Sequence, residues 1–408
     1  MQVILENLYQ AYYNARQNKR NTKEQLLFEV AYETNLHQLY TKILNKTYKT
    51  ASCKAFVIEK PVYREIFAPQ FIDRVVHHFV AQYIIPPMEA SLIDDAYSCR
   101  VGKGTLYGIK RVNYFMRSIT QNYAKDAYVL KLDIAGYFMN MNRDILYKQI
   151  IDMQLVTNSN ASALEKEYIN YLIKEIIYNA PAENCVRKGN KKLWKYIPNS
   201  KSLFHSPKNC GLPIGNLTSQ LFGNIYLNEF DHWVKNKLGI QYYGRYVDDM
   251  VFMHPNKEVL KQHIKTIATK LQSFGLTVHP KKIYLQHYTK GVSFLGQFIK
   301  PYRCYITNRT KNNFKKTIIA IEHQLTNLTI NNTTFYNQLC NIRARINSYW
   351  GLFCKANSYH FLHHTMQQFS TLFYTYFYFE KYKTTWKCKI KNKYKPTLNG
   401  IILQPTSL

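Results

Sequence analysis

Gly244 to Met253 reads GRYVDDMVFM, two adjacent carboxylates, Asp248 and Asp249, set between Tyr246, Val247 and an apolar run from Met250 to Met253. The alternation on either side predicts two strands, Gln241 to Tyr246 and Met250 to Met253, joined by an acidic turn. A further strand-like run, Ala127 to Asp133 (AYVLKLD), also ends on a carboxylate. Like charges side by side in a half-buried hairpin repel each other and lose hydration, so cations are their natural partners. A D-D pair taken alone is more often a solvated acidic turn. Magnesium prefers carboxylate and phosphate oxygens. Two such ions about 3.5 to 4 Å apart can bind the attacking and leaving oxygens of a phosphoryl displacement. Asp133, Asp248 and Asp249 would form that site if their strands are neighbours.

Charge points the same way. The 408 residues hold 55 Lys and Arg against 25 Asp and Glu, a formal net charge of +30. Such an excess favours a polyanionic partner, through phosphate neutralisation and counterion release. A ribosome-like scaffold or an anionic membrane surface would suit it too. With 35 Tyr, 22 Phe and a hydrophobic fraction of 46%, the chain is expected to be folded through most of its length. Eight Cys at 53, 99, 185, 210, 304, 340, 354 and 388 form no C-x-x-C pair, which indicates neither a zinc site nor a disulfide framework. The first residues make a poor secretion signal, and no apolar run approaches membrane-spanning length. A reducing cytoplasm, with no membrane, is the expected location.

Residues 1–48 read as a basic helical extension, with Leu26, Leu27, Val30, Leu36, Leu39, Tyr40 and Ile43 at helical spacing. A helix is predicted over Asn256 to Phe274, capped by Asn256 and ended by Gly275. The polar, basic stretch between Asn158 and Pro207 looks like an insertion or mobile loop. It would be either a solvated surface or a template contact. Beyond Thr310 the pattern is helical through Phe379, and seven Lys then fall within fifteen residues from Lys381. That tail reads as a basic arm rather than a packed element.

Six motifs follow in an order that closely resembles reverse transcriptases across residues 55–355. They are the fingers text KPVYREIFAPQFIDRVVHHFV (60–80) with YSCRVGKGT (97–105), then KLDIAGYF (131–138) and GLPIGNLTSQLFGNIYLNEFD (211–231). YVDD (246–249), HPKKIYL (279–285) and VSFLGQFI (292–299) complete the series, the last resembling a primer-gripping hairpin. Within IGNLTSQ, Ile214 stands where most relatives carry Gln and Gln220 where they carry Pro. That departure resembles the reverse transcriptases of diversity-generating retroelements, as do DAYSCRVGKGT (95–105) and RINSYWGLFCKANSYHFL (345–362). Such enzymes copy a template-repeat RNA with errors opposite adenine, and the cDNA replaces a variable repeat in a target gene.

The resemblance implies an α+β right-hand fold. Fingers and an antiparallel-sheet palm would span 49–304, a helical thumb 305–380 and a basic tail 381–408. It implies two Mg2+ ions held by Asp133, Asp248, Asp249 and the carbonyl of Ile134. Phe138 would be the steric gate against a 2′-hydroxyl, and Arg64 and Arg74 would contact the triphosphate. Arg74 follows Asp73 and could instead be a structural ion pair. Lys282, with Lys281 as its immediate rival, would protonate the leaving pyrophosphate. Ile214, Gly215 and Gln220 would lie beside template and nucleotide. His77, His78, His363 and His364 read as packing or phosphate contacts. The implied partners are an RNA template, a DNA or RNA primer with its cDNA product, dNTPs and a small basic helical accessory protein that forms a ring. A bacterial antiphage-defence reverse transcriptase and an inactive RNA-binding scaffold are the alternatives.

Overall fold

Three helices open the chain, α1 (Gln2–Arg16), α2 (Lys23–Glu29) and α3 (Tyr32–Leu44). They are part of the main core rather than an extension from it: Ile4, Leu8, Leu36, Leu39 and Ile43 are buried among residues of the central sheet and its helices. The expected stripe holds in α3 and fails in α2. There Gln25 and Phe28 turn inward, while Leu26, Leu27 and Val30 face out, Val30 at 86% exposure. The computed structural model describes residues 2–17, 22–59, 62–328, 332–382 and 385–395.

The chain then forms β1 (Cys53–Ile58), β2 (Arg64–Ala68), α4 (Phe71–Ser91), α5 (Thr105–Ile119), β3 (Tyr128–Asp133), α6 (Tyr137–Asn140), α7 (Arg143–Asp152), α8 (Ala163–Tyr178) and β4 (Cys185–Arg187). Next come α9 (Leu217–Tyr226), α10 (Asn228–Asn236), β5 (Tyr242–Tyr246), β6 (Asp249–His254), α11 (Lys257–Gln272) and β7 (Tyr284–His287). The palm sheet has the order β5-β6-β3-β7, and both β5 and β3 run antiparallel to β6. Its strands are apolar because both faces are covered: Val129, Leu130, Leu132, Met250, Val251, Phe252 and Met253 are all buried. The helix expected at 256–274 runs over Lys257–Gln272, and the Asn256 side chain accepts the Glu258 N–H at 2.8 Å.

Residues 158–207 are more ordered than a mobile loop. Ser162 and Glu165 form a reciprocal capping box at the start of α8, whose Ile169, Leu172, Ile173 and Ile177 enter the main core. Downstream, β4 pairs in parallel with β1 and extends the β1–β2 hairpin to three strands. The charged letters of this segment obscure the apolar i, i+3, i+4 pattern of α8.

By compactness, Met1–Arg111 with Ala127–Gln286 form one unit, and Val112–Asp126 with His287–Leu408 form the other. The break falls at 286/287, not 304/305. The meander β8 (Val292–Phe294), β9 (Gln297–Lys300) and β10 (Arg303–Ile306) belongs with the helices after it. Those are α12 (Asn308–Thr326), α13 (Asn332–Phe353), α14 (Tyr359–Met366) and α15 (Thr371–Tyr376), followed by a hairpin of β11 (Phe377–Tyr382) and β12 (Thr385–Ile390).

That hairpin corrects two expectations. Phe377–Phe379 is strand, not helix, and the Lys-rich stretch from 385 to 390 is a packed strand, not an arm. Its period is two: Trp386, Cys388 and Ile390 face the second core, and Lys387 and Lys389 lie between them. Counting lysines hides that alternation. Lys383 and residues 396–408 lie outside the described residues. Ile390 is 1% exposed, so Ile390→Ala should destabilise the second unit by about 2 to 5 kcal/mol. Denaturant unfolding of the full chain checks this, and an unchanged midpoint would return the segment to a solvated arm.

Candidate active site

The strand register brings the acidic residues together. Asp133, the last residue of β3, lies directly opposite Asp249, the first residue of β6, and Tyr246 of β5 also pairs with Asp249. Val247 and Asp248 are therefore the two central residues of a tight hairpin. Val247 adopts φ 56°, a left-handed conformation that β-branched residues rarely take. The Ile134 N–H donates to the Asp248 carbonyl at 3.3 Å, which ties the end of β3 to the turn. Thr277 to His279 closes the other side, through Ala135 N–H to the Thr277 carbonyl (2.9 Å) and His279 N–H to the Asp133 carbonyl (2.8 Å).

The turn is braced from below. Arg245 and Asp231 are wholly buried, with their closest contact at 2.6 Å, and Tyr243 donates its hydroxyl to the same carboxylate at 2.6 Å. Arg245 also donates through Nη1 to the Val247 carbonyl at 3.1 Å. Burial pulls the Arg245 guanidinium down, but the Asp231 carboxylate more than offsets this and holds it above the ordinary arginine range. Residues 95–97 add to the free edge of β5: Arg245 N–H reaches the Asp95 carbonyl and Tyr97 N–H the Arg245 carbonyl, each at 2.9 Å. The close approach of the Tyr97 ring leaves no room for a Cβ at Gly244.

Burial and then the charge of Asp133 push the Asp248 carboxyl above the usual range. Asp249 is pushed up to about 6, chiefly by burial and against the pull of Lys131. Lys131 Nζ lies 3.0 Å from Asp249 Oδ1, and Lys282 Nζ 2.8 Å from Asp133 Oδ2. Lys282, not Lys281, is thus the lysine that reaches the site. Among the described residues no group of three or more His, Cys, Asp or Glu side chains stands ready-made to hold a metal ion. The donor set still fits a hard divalent cation. Three carboxylates meet at one hairpin short of positive charge, and the Ile134 carbonyl accepts no hydrogen bond among the described residues. Binding requires Asp133 and Asp249 to turn from their lysines.

Arg64 begins β2, is exposed, and is the weakest of the charges that pull down on the Asp248 carboxyl. Arg74 sits half-buried in α4 and is held below the ordinary arginine range by burial. Asp73 is not its partner, since that carboxylate accepts from the Tyr48 hydroxyl (2.7 Å) and the Ala51 N–H (3.3 Å). Phe138 is half-buried in α6, and its ring lies against Gly223 of α9, where a Cβ would stand 3.3 Å from it. Ile214 packs into the same small apolar cluster as Phe138, with Phe67 and Leu203, and its carbonyl accepts the Phe67 N–H at 2.9 Å. Gly215 takes φ 124° beside the Phe67 carbonyl, a conformation and spacing that suit glycine. Gln220 is exposed, and its Oε1 accepts from the Cys99 thiol at 3.0 Å. His77 is a packing residue, buried, pushed down to about 3 by burial and bonded to Thr218 at 2.8 Å.

Several contributors gave no signal in the sequence. Glu65, next to Arg64, is 2% exposed and accepts from the Ser202 hydroxyl (2.6 Å) and the Leu203 N–H (2.8 Å). The Ser200 carbonyl abuts Gly136, where a Cβ would lie 2.5 Å away. The segment after α8 therefore touches both β2 and the turn leading to Phe138. Long sequence separation hides such contacts, and only the Arg245–Asp231 pair could have been suspected, from two charges in otherwise apolar elements.

Residues 58–299, more than half the chain, match the family described as reverse transcriptase (RNA-dependent DNA polymerase). No curated protein matches the sequence. Among solved structures, apo telomerase from Candida tropicalis is similar at 16% identity and a TM-score of 0.49, over 80% of this chain and 61% of that one. Its form truncated from the C-terminal domain gives 15% and 0.45, over 63% and 55%. Telomerase from Candida albicans in complex with a TWJ fragment of telomeric RNA gives 13% and 0.43, over 86% and 62%. The chain thus spans 55 to 62% of the length of these three structures.

Arg245→Met leaves Asp231 buried without its countercharge and should destabilise the first unit by about 3 to 5 kcal/mol. The double variant Arg245→Met/Asp231→Leu should recover most of that loss in chemical denaturation. A single variant as stable as the parent would remove the bracing role.

Proposed function

The chain belongs to the reverse transcriptase family, and from that premise we propose that it is an RNA-directed DNA polymerase that extends a primer 3′ end with deoxynucleotides. Its fold is the α+β right-hand type, with the carboxylates on the palm sheet. The observation that carries the proposal is the pairing of Asp133 with Asp249 beside Asp248 in the turn. Two Mg2+ ions held by Asp133, Asp248, Asp249 and the Ile134 carbonyl would activate the primer hydroxyl and bind the triphosphate.

The chain's own residues do the rest. Arg64 and Arg74 hold phosphate oxygens through paired N–H donors, as guanidinium forks do. The primer 3′ hydroxyl loses its proton to solvent, and its oxygen bonds to the α-phosphorus as the bond to the β-phosphate oxygen breaks. Lys282, released from Asp133, gives its Nζ proton to the departing pyrophosphate. Phe138, backed by Gly223, occupies the space a 2′-hydroxyl would need. Asp248→Asn should abolish primer extension on an RNA template while RNA binding survives, because the removed charge lies apart from most phosphate contacts. Wild-type extension by the purified variant would overturn the metal role.

Within the family, the reading that fits Ile214 and Gln220 is an error-prone enzyme of a diversity-generating retroelement. It would act in the cytoplasm with a basic, ring-forming accessory protein. Ile214 offers no donor or acceptor where relatives carry a Gln. A polar anchor is worth about 1 kcal/mol, several-fold in selectivity. Ile214→Gln should therefore lower misincorporation opposite template adenine more than opposite other bases, with extension retained. Sequencing cDNA from both proteins on one template decides this. An unchanged adenine error fraction would make Ile214 a packing residue of its cluster with Phe67 and Leu203.

A further inference from the structure

The second unit holds a surface site that the polymerase reading does not use. In the β8–β10 meander the two turns lie at opposite ends: Leu295 and Gly296 join β8 to β9, and Pro301 and Tyr302 join β9 to β10. The first turn belongs to the hairpin that resembles a primer grip, and the second points the other way. There Tyr302 adopts φ 63° and is 77% exposed. Its ring meets Tyr123 with centroids 4.3 Å apart, and Tyr123 lies nearly parallel to Tyr288 at 6.2 Å.

Tyr123 is the third of three consecutive residues in left-handed backbone, after Gln121 and Asn122. The turn is fixed by Asn122 N–H to the Arg117 carbonyl (2.8 Å) and Tyr123 N–H to the Thr120 hydroxyl (2.9 Å). Such conformations cost free energy in non-glycine residues, and they hold Tyr123 rigidly under Tyr302.

Tyr302, Tyr123, Asn113, Arg117 and Asn122 line an open hollow of about 310 Å³. A second hollow of about 470 Å³ shares Arg117 and Asn122 and is walled by Tyr114, which is 54% exposed. No acidic side chain lines either hollow. The nearby carboxylate of Asp126 is engaged by His287 at 3.0 Å. Arg117 donates to the Asn122 amide oxygen at 3.2 Å and has no carboxylate partner among the described residues. The buried Asn113 Oδ1 has no hydrogen-bond partner.

Exposed tyrosine faces stack on bases, and a guanidinium takes a phosphate. Two hollows astride one arginine match two successive nucleotides with their phosphate between them. We propose that Tyr302, Arg117 and Tyr114 form a single-strand nucleic-acid site, in which consecutive bases stack on the two tyrosines and Arg117 binds the intervening phosphate.

The test is fluorescence anisotropy of the full chain with a short labelled oligoadenylate RNA, its DNA counterpart, and an RNA–DNA duplex of equal length. Tyr302→Ala and Arg117→Ala should each weaken single-strand binding by roughly fivefold or more. Arg117→Ala should also lower the salt slope by about 0.7. Duplex affinity and the unfolding midpoint should stay with the parent. Equal losses on RNA and DNA assign the site to single strands generally, and losses confined to RNA assign it to the RNA template. Single-strand affinity unchanged in both variants, or duplex affinity falling in parallel, would overturn the proposal. Primer extension by the same preparations reports separately on the polymerase reading.

Discussion

The buried pair of Arg245 and Asp231 is the interaction on which the acidic hairpin depends. Two fully desolvated charges are costly by themselves. Here the carboxylate receives Nε, Nη2 and the Tyr243 hydroxyl, and the remaining Nη1 donor reaches the Val247 carbonyl. That last bond matters most for the site. A valine at positive φ stores about 1 to 3 kcal/mol of strain, and a hairpin free to relax would move Asp248. The buried arginine anchors the turn to α10 and the β5 edge to residues 95–97, so the conformation persists against its local preference.

A second constraint is the shortage of positive charge at the carboxylates themselves. Asp248 and Asp249 both sit above their ordinary range because burial penalises their ionised forms. Lys131 and Lys282 pair with Asp249 and Asp133, while Asp248 has no ion pair among the described residues and only the longer-range pull of Lys282 and Arg64. Lysine is a suitable temporary partner, a mobile point charge on a flexible stem where arginine would hold by a rigid fork. The site therefore stays folded with its acids partly paired and remains open to a competing cation. The same exchange would free Lys282 to act as an acid.

Much of this was legible in the sequence because the palm is built from short-range patterns. Strand alternation located β3, β5 and β6 within a residue or so, and the carboxylates stand out at their ends. The triphosphate roles proposed for Arg64 and Arg74 and the gate role proposed for Phe138 rest on motif register alone. What stayed hidden depended on partners distant in sequence. Gln25 is buried, while Leu26 and Val30 read as core and are exposed. The lysines of β12 suggested solvent, yet its alternate residues fill the second core. Charge describes only one face of a strand, and burial is decided by the other.

The segment after α8 shows why such a distant contact can matter to chemistry. A two-stranded hairpin is marginal alone, and the triphosphate contact proposed for Arg64 would require β1–β2 to hold it in a fixed place. Adding β4 gives the sheet a third strand, and the ring of Phe204 takes the guanidinium of Arg187 at 3.9 Å. Side chains alternate along β2, so burying Glu65 against Ser202 and Leu203 points Arg64 to the opposite face. The same stretch of chain lays the Ser200 carbonyl on Gly136, two residues before Phe138. One segment thereby braces both the strand that carries Arg64 and the turn that leads to Phe138. On the roles proposed for Arg64 and Phe138, a shift in its packing would reach phosphate binding and sugar selection together, whereas a solvated loop would affect neither.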